Sequence, residues 1–127
     1  MSLRRLLVAG AIAALCACEM LPRGSLDAGD ALRSGIRDYE EGRYLESFHN
    51  LRNALETGLP PNERVQAHKY IAFIYCVSNR PSACREEFRK ALAVDPSFQL
   101  DPAEAGHPTW GPVFRSLKTA STNGSTK

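Results

Sequence analysis

HKYIAFIYCVSNRPSACREEFRKALAVDP, residues 68–96, holds the strongest architectural signal in the chain. Its apolar run, Tyr70 to Val77, has the composition of either a buried strand or a buried helix. The run extends Arg64–Lys69, a segment without strand alternation, so a helix is expected through about Ser78. A short polar gap follows. Pro81 suits the first turn of a second helix, where its missing N–H has no partner to lose. That helix should run to about Val94, and Asp95-Pro96 terminates it. The two helices form an antiparallel hairpin.

The same reading extends outward. Asp30–Glu41 places Leu32, Ile36 and Tyr39 at helical spacing, and Gly42 ends it. Tyr44–Thr57 carries Phe48, Leu51 and Leu55 on one stripe, and Gly58, Pro60 and Pro61 form a stop. Asn62 is expected to cap the third helix. Beyond the hairpin, Asp101-Pro102-Ala103-Glu104 has the pattern of a capped single turn. Pro108 should open a last helix to about Lys118, with Pro112 tolerable only in its first turn. Residues 119–127, ending ASTNGSTK, lack an apolar anchor and read as a disordered tail. The chain is therefore expected to be all-α, with one domain over residues 27–118.

Hairpins of this length resemble tetratricopeptide repeats. His68, Ile71-Ala72, Tyr75, Cys84, Phe88, Ala91 and Pro96 stand at that family's spacing. Departures are His68 for the usual Trp and Pro81 for the usual Tyr. An earlier hairpin matches through Gly35, Tyr39, Gly42-Arg43-Tyr44, Ser47, Leu51 and Ala54-Leu55. The step from Ala54 to Ala91 is 37 residues against the family's 34, and the linker at residues 59–62 absorbs the excess. The resemblance implies two repeats plus a C-terminal capping helix that buries Trp110, Val113, Phe114 and Leu117.

At the other end the chain reads MSLRRLLVAGAIAALCAC. Arg4 and Arg5 precede an apolar run, Leu6–Ala17, too short to span a bilayer comfortably but right for a secretory signal. Leu15-Cys16-Ala17-Cys18 resembles a bacterial lipobox. It implies a signal over residues 1–17, acylation at Cys18 and a tether over 18–26; an ordinary signal cut near Ala17 is the alternative. Glu19 rather than Asp implies, by resemblance to Gram-negative lipoproteins, anchoring at the periplasmic face of the outer membrane. Without Arg4 and Arg5 the sixteen basic residues fall to fourteen, equal to the fourteen acidic ones. Nucleic-acid binding then loses its electrostatic motive. The residual charge is segregated: residues 18–63 hold five basic and nine acidic groups, and 64–127 hold nine and five. Such a split either guides docking or is only a solvated surface.

An exported chain meets oxidising chemistry. The hairpin can bring Cys76 and Cys84 together, and they are expected to form a structural disulfide, with two reduced core cysteines as the alternative. Their spacing is not Cys-x-x-Cys, and no His lies at a zinc-ligand distance in sequence, so neither a redox pair nor a metal site is expected. Glu104 and His107 could serve acid–base work. No nucleophile motif or phosphate loop accompanies them, so no enzyme activity and no cofactor are expected. A binding surface is expected instead on the first helix of each hairpin, at Tyr39, Lys69, Tyr70 and Phe73. Exposed Tyr70 and Phe73 would anchor a partner; alternatively they pack under the capping helix.

The run from His68 to Lys118 behind a lipobox resembles the TssQ-type lipoproteins associated with type VI secretion in proteobacteria, most specifically at Tyr75-Cys76-Val77-Ser78 and Gly106-His107-Pro108. The resemblance implies an accessory envelope adaptor that touches periplasmic parts of the secretion machine. A general envelope chaperone or scaffold, serving outer-membrane assembly or a cell-wall enzyme, is the competing expectation.

Overall fold

A computed structural model of the chain describes residues 27–124. The signal, Cys18 and the tether expected at residues 1–26, and the last three residues, lie outside them. The described residues are 77% helical and contain no strand. Six helices follow in order: α1 (Ala28–Glu40), α2 (Tyr44–Thr57), α3 (Pro61–Val77), α4 (Pro81–Val94), the short α5 (Pro102–Ala105) and α6 (Gly111–Asn123). The all-α expectation holds.

Helix boundaries differ from the sequence reading in several places, α1 among them, which starts at Ala28 rather than Asp30. Pro60, not Asn62, is the N-cap of α3, because Pro61 already suits the first helical position. The last helix begins at Gly111 rather than Pro108, after Trp110 as N-cap. It then runs to Asn123, so residues 119–123, expected in a disordered tail, are helical. Hydroxyls of Ser121 and Thr122 donate to the carbonyls of Leu117 and Thr119 at 3.0 and 2.8 Å. These bonds to preceding carbonyls fit small polar residues on a helix whose packed face ends at Leu117.

α1 pairs with α2 and α3 with α4, and α6 packs on α4. The two hairpins share one turn, repeated 37 residues apart. In the first, Glu41, Gly42 and Arg43 N–H groups donate to Arg37, Tyr39 and Asp38 carbonyls. In the second, Ser78, Asn79 and Arg80 donate to Ile74, Cys76 and Tyr75. Gly42 (φ 76°) and Asn79 (φ 59°) both occupy the left-handed region that closes such a turn; glycine and asparagine tolerate it best. The interior repeats too. Ser47, Leu51 and Ala54 correspond to Cys84, Phe88 and Ala91, and all six are fully buried. Gly35 shows why small residues are needed between the helices: a Cβ there would sit 2.7 Å from Leu51 Cγ.

Two apolar clusters result. One joins Leu32, Leu51, Leu59, Ala67, Ile71 and Ile74 across α1, α2 and α3. The other joins Phe73, Phe88, Leu100, Trp110, Phe114 and Leu117 across α3, α4 and α6. Tyr39, Tyr70 and Tyr75 touch both clusters. Trp110, Phe114 and Leu117 are buried as expected, whereas Val113 is only half-buried. Cys76 and Cys84 are bonded, with Cα atoms 5.2 Å apart, as the hairpin geometry led one to expect.

Candidate functional site

The surface expected on α1 and α3 is largely covered. After α4 the chain turns back, and α5 and Trp110 lie over α3. Trp110 stacks on Phe73 with centroids 4.2 Å apart. Phe73 is 2% exposed and cannot be a surface anchor. Lys69 is also buried: its ammonium meets Glu104 Oε1 at 2.7 Å and lies 4.7 Å from the Tyr70 ring centroid. Tyr70 and Tyr39 are half-buried, edge to face at 5.1 Å. Burial pushes the Tyr39 phenol up to about 12, helped by Tyr44, Tyr70 and Glu104, and raises Tyr70 likewise. Both stay neutral and serve as packing. Of the four residues expected to bind a partner, Lys69 and Phe73 are thus consumed by the cover, because a large aromatic face gains more from Trp110 than from water.

Glu104 and His107 are occupied as well. Glu104 Oε2 accepts the Asp101 N–H at 3.1 Å, and Trp110 Nε1 donates to the Glu104 carbonyl at 2.9 Å. The His107 ring stacks on Trp110 at 3.4 Å, and its Nδ1 accepts the Thr109 N–H at 3.2 Å. The imidazole thereby serves as a stacking partner, and the stretch acts as a clasp over α3.

His68 has an unforeseen role. It lies 2.7 Å from Glu87 Oε2, while Lys90 donates to Glu87 Oε1 at 2.7 Å. Glu87 is buried, which raises its carboxyl pKa, but the hydrogen bonds from His68 and Lys90 outweigh burial and hold it below the ordinary value. Among the described residues no group of three or more His, Cys, Asp or Glu could hold a metal ion, and no helix is long and apolar enough to cross a membrane.

The open feature lies on the other side of α3. Tyr44, Leu45 and Phe48 of α2 face Ile74 and Tyr75 of α3, with Ser78 and Arg80 at the turn, around a groove of about 500 Å³. Phe48 and Tyr75 meet edge to face at 5.5 Å on its floor. The large apolar side chains left exposed among the described residues are Tyr44 (41%), Leu45 (67%) and Val77 (39%), all at this end of the molecule. Sequence reading missed the groove. A signal existed in Leu45, which is apolar yet lies off the Phe48–Leu51–Leu55 stripe, in line with His49 and Arg52.

Comparison with protein-family models, with curated proteins and with solved structures found no match.

Proposed function

We propose that the chain is a lipid-anchored adaptor of the cell envelope, built from two tetratricopeptide-like repeats and a capping helix, that holds another protein and transforms nothing. One observation carries the reading. A small domain whose other Phe, Tyr and Trp rings are all buried or half-buried leaves Tyr44 and Leu45 in water beside an open apolar groove, and clustered exposure of that kind marks an interaction surface. The repeat assignment draws on the turn and core positions recurring at 37 residues. Export draws on the apolar leader and on the Cys76–Cys84 disulfide, a bond that persists outside reducing compartments. Anchoring at Cys18 in the outer membrane, and service to a type VI secretion machine, draw on the lipobox and on the resemblance of residues 68–118.

A photo-crosslinking residue at position 45 in intact cells tests the reading. Capture of a periplasmic component of the secretion machine, with weakened effector export on deletion of the gene, is the expected result. Normal export together with broad envelope stress would replace it by a general chaperone role. A Cys18→Ser protein should lose both membrane association and function.

A further inference from the structure

The two hairpin turns differ in one respect that points to a ligand. In the first, the Arg43 guanidinium is neutralised by Asp38 and Glu41. The residues 37 positions later are Arg80, Tyr75 and Ser78. The arginine is kept and both acids are gone. Arg80 accordingly makes no side-chain hydrogen bond or ion pair among the described residues; Arg64 is the other cation of which this is true. Tyr75, Ser78 and Arg80 all line the apolar groove. No acidic residue lines it.

We propose that the groove binds a short segment of a partner protein that carries apolar side chains beside a carboxylate, and that this carboxylate takes, on Arg80, the place Asp38 and Glu41 take on Arg43. The proposal rests on the adaptor reading and names the chemistry of its partner. The apolar part of the segment lies on Tyr44, Leu45, Phe48 and Ile74. The acid is the side chain of a Glu or Asp within that segment, whose two oxygens match the two-pronged guanidinium fork. A second copy of this chain fits less well: in a symmetric contact the groove would meet itself, bringing Arg80 towards Arg80 with no acid from either lining.

The test uses the purified full-length chain and two fluorescein-labelled dodecapeptide pools. Every member of the first has two Leu or Phe residues followed within three positions by Glu; the second has Gln in place of Glu. Anisotropy should show the Glu pool binding about five-fold more tightly, the scale of an exposed ion pair. Arg80→Gln should remove the preference. Ser78→Glu, which restores an acid at the position of Glu41, should remove it too. Both sites are exposed, so folding is not at stake, and unchanged circular dichroism would verify that. Leu45→Asp should weaken both pools about ten-fold or more, the scale of losing one well-buried apolar contact. Equal binding of the two pools, or a Glu preference that survives Ser78→Glu, overturns the acid assignment while leaving the adaptor reading intact. Failure of both pools to bind, with self-association in sedimentation that Leu45→Asp abolishes, overturns the proposal in favour of a second copy. Crosslinking from position 45 in cells tests the adaptor reading separately.

Discussion

The first hairpin, α1–α2, and the second, α3–α4, solve one geometric problem with different chemistry. Both need a tight left-handed turn and a close helix approach. The first relies on Gly42, on the missing side chain of Gly35, and on the Ser47 hydroxyl donating to the Gly35 carbonyl at 2.7 Å. The second places Asn79 and Ala72 at those positions and Cys84, bonded to Cys76, where Ser47 stands. The first also fixes its turn by an Arg43–Asp38–Glu41 cluster, and Asn50 donates to Asp38 at 2.8 Å. The second gives up that cluster, so its covalent bond does the local fixing and its arginine is left without an acidic neighbour. Polar fixation was moved to the far side, where Glu87, at the place of Asn50, ties His68 to Lys90.

The largest expected effect strikes what the hairpins share. Phe88→Ala removes a fully buried ring that packs on Phe73 and Phe114, and should cost about 3–5 kcal/mol in chemical denaturation, enough to threaten folding of a domain this small. Leu51→Ala, its counterpart, should cost nearly as much at about 2–5 kcal/mol. A much smaller loss there would break the equivalence.

The next experiment separates the two fixations. Cys76→Ala/Cys84→Ala should lower stability by about 2.5 kcal/mol, the chain-entropy value for a loop this short. Ser47→Ala should lower it by about 1 kcal/mol, a single internal hydrogen bond. Equal losses in thermal melts would mean that the disulfide does not replace the missing cluster.

A smaller effect belongs to the far side of the second hairpin. The Glu87 carboxyl titrates lower folded than unfolded, so its contribution is complete above about pH 4.5, the ordinary value, and fades as pH falls through the folded value. Glu87→Gln should therefore destabilise the protein at pH 7 by about 1–2 kcal/mol, the cost of weakening a charge-assisted bond. It should also flatten the loss of stability between pH 5 and 3. An unchanged acid limb in the variant would exclude Glu87 from that role.

The smallest effect refines the turns. Gly42→Ala forces a Cβ into the left-handed region and should cost about 1 kcal/mol, whereas Asn79→Gly should be neutral within about 0.5 kcal/mol. A comparable penalty at both sites would show that the Asn79 side chain does more than tolerate its φ.

The order and pairing of the helices were legible in the chain's local pattern, although the last turn of α6 was not. Apolar spacing at 3.6 residues, proline at helix starts and Gly42 or Asp95-Pro96 at helix ends act locally, so they can be read without a partner in view. The Cys76–Cys84 bond was expected from two cysteines flanking one hairpin turn, but the 5.2 Å Cα separation that permits it came only from the packed helices. Which faces stay uncovered, by contrast, emerges only from long-range packing. Nothing in the spacing of Lys69 and Phe73 says that Glu104 and Trp110 will return from 31 or more residues away to cover them. Nothing in Leu45 or Arg80 alone says that they border one groove. Local pattern specifies which side of a helix is apolar, whereas its exposure depends on what distant chain segments fold over it.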